Sequence, residues 1–122
     1  MKRDFELVFK ILEHLEKRND VSILNDLLIE GYDETPVRYH LNRMYEAGLL
    51  DAETSVSSTT PKRLVRVYPF GLSWDGHEFL DSVRQKGVKD KLKTKLGGAI
   101  VDVPFSVLKG LALALTKDQL GL

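Results

Sequence analysis

The chain contains no cysteine. This excludes a disulfide framework, a thiolate zinc site and a cysteine nucleophile, and it fits a reducing compartment. It also has no excess of charge. Its 122 residues carry 18 Lys plus Arg and 18 Asp plus Glu, for a formal net charge of zero. A typical nucleic-acid-binding domain is basic, so bulk charge speaks against non-specific DNA binding. No uncharged apolar run reaches membrane-spanning length. The richest stretch, 96–115, is interrupted by Asp102, Pro104 and Lys109. The opening MKRDFELVFKIL has Asp4 and Glu6 where a signal peptide would be apolar, and no small-residue cleavage site follows, so it reads as mature structure.

Catalytic and metal-binding signatures are missing as well. His14, His40 and His77 are isolated, without HExxH or any other ligand spacing. His40 and His77 lie beside apolar residues, where a histidine at the edge of the core is the simpler account. Ser73, Asp75 and His77 are the residue types of a triad, but neighbours at one helix start cannot adopt its geometry. Gly97-Gly98 lacks the context of a phosphate-binding loop. The expectation is a cytoplasmic protein with no enzymatic activity, no metal and no cofactor.

What is present is a soluble globular composition, 43% hydrophobic and 30% charged. Its length suits one compact core with chain left over for an extension. Residues 1–85 read as the main domain, and 86–122 as a basic linker helix plus an apolar C-terminal helix. Phe5, Val8, Phe9, Ile11, Leu12 and Leu15 have helical spacing and predict a first helix over 4–18. For 22–30 a two-turn helix capped by Ser22 is favoured, because Gly31 is a ready C-terminal stop; a strand through Leu27 to Ile29 is the competitor.

Asp33 predicts the N-cap of a helix over 34–47, with Val37, Leu41 and Met44 inward and Gly48 as its stop. Residues 49–56 and 63–70 form a hairpin around the polar loop at 57–61. Ser73 opens a helix to about 85, with Trp74, His77, Phe79, Leu80 and Val83 on its apolar face. A basic helix follows over 88–96, and Phe105 to Leu120 is the last helix, with Pro104 where a first helical residue would sit. That helix is apolar nearly all round, which implies burial on two sides. The second side suggests a homodimer through Phe105, Leu108, Leu111 and Leu115.

The fold class is therefore α+β and mainly helical: a winged helix-turn-helix with a β-hairpin wing and extra C-terminal helices. VRYHLNRMYEAGLL looks like the third helix and following strand of bacterial winged-helix regulators, and LSWDGHEFL resembles the opening of their post-wing helix. In that fold a helix enters the major groove and its outward residues reach base edges. Here these would be Thr35, Arg38, Tyr39, Asn42 and Arg43, where Arg suits guanine and Asn suits adenine. Lys62 and Arg63 near the hairpin tip would hold phosphates. So would Lys89, Lys91 and Lys93, within a stretch of net charge +4 over 86–95. The reading is a winged-helix protein that binds double-stranded DNA, with a bacterial or phage transcriptional regulator as the expected role. The alternative is a non-catalytic protein–protein interaction module on the same fold, since solvated helix faces carry Arg and Asn without any ligand and Glu34 and Glu46 repel phosphate.

The chain also resembles a set of small bacterial and prophage proteins, domain-of-unknown-function family 2513. The resemblance runs through MKRDFELVFKIL, IEGYDETPVRYHLNRMYEAGLLDAE, LSWDGHEFLDSVR and PFSVLKGLA. Members of that family commonly have a tryptophan shortly after the GHEFLD helix, where this chain has Gly87-Val88-Lys89. The resemblance implies a bacterial or phage source and a winged-helix-like fold. It supplies no mechanism and no functional residues.

Overall fold

A computed structural model describes residues 1–60, 64–85, 87–96 and 103–121. The elements follow one another as α1 (Phe5–Glu16), α2 (Glu34–Glu46), β1 (Leu50–Val56), β2 (Leu64–Leu72), α3 (Trp74–Arg84), α4 (Val88–Leu96) and α5 (Phe105–Leu120). The architecture is α+β and mainly helical, with β1 and β2 as a two-stranded antiparallel hairpin. Among the described residues no helix is long and apolar enough to cross a membrane.

Helix α1 is the hub. Asp4 caps it, its carboxylate accepting from the Leu7 N–H at 3.2 Å. Phe5, Leu7, Val8, Phe9, Ile11, Leu12 and Leu15 are all buried. A helix apolar over more than one face must be covered on several sides, and α1 meets α2, α3 and β2. Aromatic rings extend its core across the fold. Phe5 and Phe9 meet edge-on at 4.4 Å, Phe9 stacks on Phe79 at 6.2 Å, and Phe79 meets Phe105 at 5.1 Å. Phe79 is fully buried, which contributes about 1.5–3 kcal/mol relative to exposure.

The segment between α1 and α2 departs from expectation. It is neither helix nor strand, so the short helix over 22–30 does not form. Leu27 and Ile29 are buried while Leu28 between them is 79% exposed. That alternation belongs to extended chain, because residues two apart cannot share a helix face. The Leu24 N–H bonds the Pro69 carbonyl at 2.9 Å, laying the segment beside β2. Ser22 does not cap a helix. Its N–H and hydroxyl both donate to the Asp20 carboxylate, at 3.0 and 2.6 Å, and that local turn competes with helix initiation. These bonds, the hydroxyl's first, hold the Asp20 carboxyl below its ordinary pKa.

Helix α2 ends in a Schellman motif. The Gly48 N–H bonds the Tyr45 carbonyl and the Leu49 N–H bonds the Met44 carbonyl, both at 3.0 Å. Gly48 takes φ +80°, which favours glycine. Its N-terminus begins after Asp33, whose side chain makes no capping bond. Leu50 pairs with Leu72 at the base of the hairpin, and β2 runs two residues further than the sequence suggests.

Helix α3 differs in face. Trp74 is 78% exposed and His77 is exposed, while Gly76, Phe79, Leu80 and Val83 face inward. Gly76 is the reason. A Cβ there would lie 2.1 Å from the Leu49 carbonyl oxygen, so the helix docks on its glycine and turns Trp74 outward. Pro104 precedes α5 as its N-cap instead of starting it. Leu108, Ala112 and Leu115 are the buried stripe of α5, packed on α3 and α4. One apolar cluster runs from Phe5 to Leu115.

Gly76→Ala should force α3 off the Leu49 backbone and lower stability by about 3 kcal/mol, within the upper range for overpacking. Urea denaturation measures this, and a loss below about 0.5 kcal/mol would show that the helices slide apart freely.

Candidate functional site

The outward residues of α2 are set by its inward ones. Val37, His40, Leu41 and Met44 are buried. His40, expected beside the stripe, is part of the core at 2% exposure. Its Nε2 accepts the Asp4 N–H at 2.7 Å, and its Nδ1–H donates to the Pro36 carbonyl at 2.8 Å. Both ring nitrogens are satisfied in a single neutral tautomer, which ties the start of α1 to the first turn of α2.

Thr35, Arg38 and Arg43 are exposed on α2, whereas Tyr39 and Asn42 are half-buried. Arg38 pairs with Glu34 one turn earlier and lies 3.9 Å from Asp26. Asp26 also holds Arg66 of β2 at 2.8 Å, and Arg66 donates to the Asn25 carbonyl as well. Arg43 pairs with Glu46 at 2.8 Å and sits 5.5 Å over the Tyr39 ring. Five residues of α-helix separate Arg38 from Arg43 by about 140° around the axis. Lys62 and Arg63 lie outside the described residues.

The α4 lysines belong to another region. Lys89 and Lys93 clasp Glu6 of α1 at 3.0 and 2.5 Å, and Lys89 lies 4.6 Å over the Phe9 ring. Lys91 reaches Gln119 of α5 at 3.4 Å. The Lys93 hydrogen bond, and then Lys89, hold the Glu6 carboxyl below its ordinary pKa against the opposing effect of burial. Apart from Lys91, the described cations of the expected site thus form three groups, around Asp26, Tyr39 and Glu6. Each group has its own acid: Asp26 and Glu34, Glu46, and Glu6.

Acid dominates the chain around α2. Residues 20–53 carry eight Asp or Glu against Arg38 and Arg43, a formal charge of −6. The sequence reading missed what the extended segment before α2 displays. Val21 is 81% exposed, Leu28 79% and Ile23 37%, amid Asp20, Asp26, Glu30, Asp33 and Glu34. Leu27, Leu28 and Ile29 are all apolar, so nothing in their order marks which of them faces outward. Of the residues suggested for dimerisation, Leu108 and Leu115 are buried within the chain, and Phe105 and Leu111 pack partly against the same core. Among the described residues, no cluster of three His, Cys, Asp or Glu could hold a metal ion.

Together, the interlocked α2, hairpin and α3 define a small, mainly helical α+β protein. The chain belongs to the hypothetical-protein family DUF2513, whose model matches residues 2–99. It is 31% identical over 122 residues to an uncharacterised protein of Haemophilus influenzae, covering 98% of this chain and 99% of that one. No solved structure matches.

Glu6→Gln should lower stability by roughly 0.5–1 kcal/mol near neutral pH, the scale of a half-exposed ion-pair network. Because the folded-state pKa of Glu6 is lowered, its contribution is fully present above the ordinary glutamate pKa of about 4.3 and is lost as pH falls through the lower folded value. Denaturation curves for wild type and variant should therefore converge in acid. A difference that persists below about pH 3 would show that charge is not its cause.

Proposed function

We propose that this chain is a non-catalytic protein-interaction module on a winged-helix arrangement, and that its partner is a basic, apolar-bearing protein segment. The observation that carries this reading is the segment 20–34. It exposes Val21 and Leu28 among five acids, and no Lys or Arg occurs from 19 to 34. Apolar patches rimmed by polar residues mark contact surfaces, and complementary charge steers the partner and fixes its register. The order of α1, α2, hairpin and α3 supports the winged-helix arrangement.

DNA binding is the second reading, favoured by one observation. Thr35 and Arg43 are exposed on a helix that leads directly into a hairpin. Such a reader would place Thr35, Arg38, Tyr39, Asn42 and Arg43 in the groove and Lys62, Arg63, Lys89, Lys91 and Lys93 on phosphates. It must also bring phosphates beside Asp26 and Glu34, which already hold Arg38. A homodimer through α5 would use its outer surface, where Val107 is 53% exposed.

Fluorescence anisotropy on random and genomic duplexes should show no saturable binding, even at low salt where phosphate contacts are strongest. A lysine-rich amphipathic peptide should bind, and Leu28→Ala with Glu30→Ala should weaken it several-fold. Low-salt duplex binding that falls tenfold or more in the Arg38→Ala, Arg43→Ala double variant would replace this reading with the DNA reader.

A further inference from the structure

A cavity of about 320 Å³ opens where the N-terminal residues, α2 and α5 meet. Phe5, Val8, Met44, Phe79 and Leu108 make its walls apolar, and Lys2, Tyr39 and Arg43 also line it. Its volume falls in the range of small-molecule sites. It is about twice the ~150 Å³ dry cavity that takes up benzene.

We propose that this cavity binds a small amphipathic anion, specifically a one- or two-ring aromatic carboxylate. Its rings would lie among Phe5, Phe105 and the Tyr39 ring, and its carboxylate would bond Lys2 and Arg43. Charge complementarity singles out an anion. The chain as a whole balances acids and bases, yet among the described residues lining the cavity none is Asp or Glu. Lys2 forms no ion pair with any described residue, and the Glu46 partner of Arg43 is an exposed i, i+3 contact. Such a pair is worth little in water, so a carboxylate held at an apolar mouth competes for the guanidinium. Arg3 also lines the cavity, but its guanidinium donates to the Val103 carbonyl, and the site does not depend on it. His40 contributes ring surface alone, because both its nitrogens are engaged. Aromatic walls favour rings over an acyl chain through edge and offset-stacked contacts.

The inference is independent of the acidic segment and its partner. The full chain is titrated with 2-naphthoate and, as the neutral counterpart, 2-naphthamide, by calorimetry and by amide chemical shifts. Naphthoate should bind saturably and move the Tyr39 and Met44 amides, with naphthamide about tenfold weaker, the scale of one charge-assisted contact. Lys2→Gln with Arg43→Gln, both at the exposed mouth, should bring naphthoate to the naphthamide level and leave naphthamide unchanged. The proposal is overturned by equal affinity for acid and amide, by unchanged naphthoate affinity in the double variant, by shifts that bypass Tyr39 and Met44, or by no binding up to the solubility limit.

Discussion

The fold depends on one backbone contact, the seating of the start of α3 on the end of α2. The Ser73 N–H donates to the Leu49 carbonyl at 3.1 Å, and its hydroxyl donates to the Gly48 carbonyl. The same hydroxyl oxygen accepts the Gly76 N–H at 3.0 Å, capping α3. Gly76 then lies against Leu49 with no room for a Cβ. The Ala-Gly-Leu at the end of α2 and the Ser-x-x-Gly at the start of α3 are therefore two halves of one lock. The lock also closes the hairpin, because Leu50 and Leu72, its first pair, directly adjoin it. Backbone carbonyls in a close-packed turn need partners, and here the start of the next helix supplies them to Gly48 and Leu49.

Around this lock the chain packs on α1. Helix α2 is tied to α1 through His40, β2 lies on it, and α3 joins it through the phenylalanine ladder. The C-terminal helices complete the arrangement ionically and by packing. Glu6 receives Lys89 and Lys93 from α4, and Glu16 receives Arg84 from the end of α3 at 2.5–2.6 Å. The Arg84 hydrogen bond lowers the Glu16 pKa and Glu16 in turn raises that of Arg84. The basic stretch that looks like a phosphate binder along the sequence is, in three dimensions, partly a clasp between helices.

That clasp illustrates how a neutral chain distributes its charge. Arg38, Arg43, Arg66, Lys89 and Lys93 each meet a carboxylate. Acids meanwhile predominate over 20–53, and among described residues the cavity beside Tyr39 is lined by cations without acids. A sequence tally of zero hides this separation, because pairing is a property of distance and not of composition.

The helices were legible in the sequence where a cap and an apolar period agreed. α4 and α5 have the expected bounds, and α1, α2 and α3 differ only at their ends. Gly48 as the stop of α2 and Ser73 as the cap of α3 follow from local backbone chemistry, which acts over three or four residues and is written in order along the chain. The segment 22–30 was misread, because its apolar residues fit two periods and only the approach of Pro69 selects one. Trp74 was misread for a similar reason: its hydrophobicity is local, but the steric demand at Gly76 comes from Leu49. The candidate sites were least legible. Which cation finds which acid, and which apolar side chains stay uncovered, depend on contacts tens of residues apart. The sequence by itself determined, to within two residues, where α1 to α5 start and stop. Only the tertiary structure decided which of their faces remained available, because burial and ion pairing require a neighbour that chain order does not name.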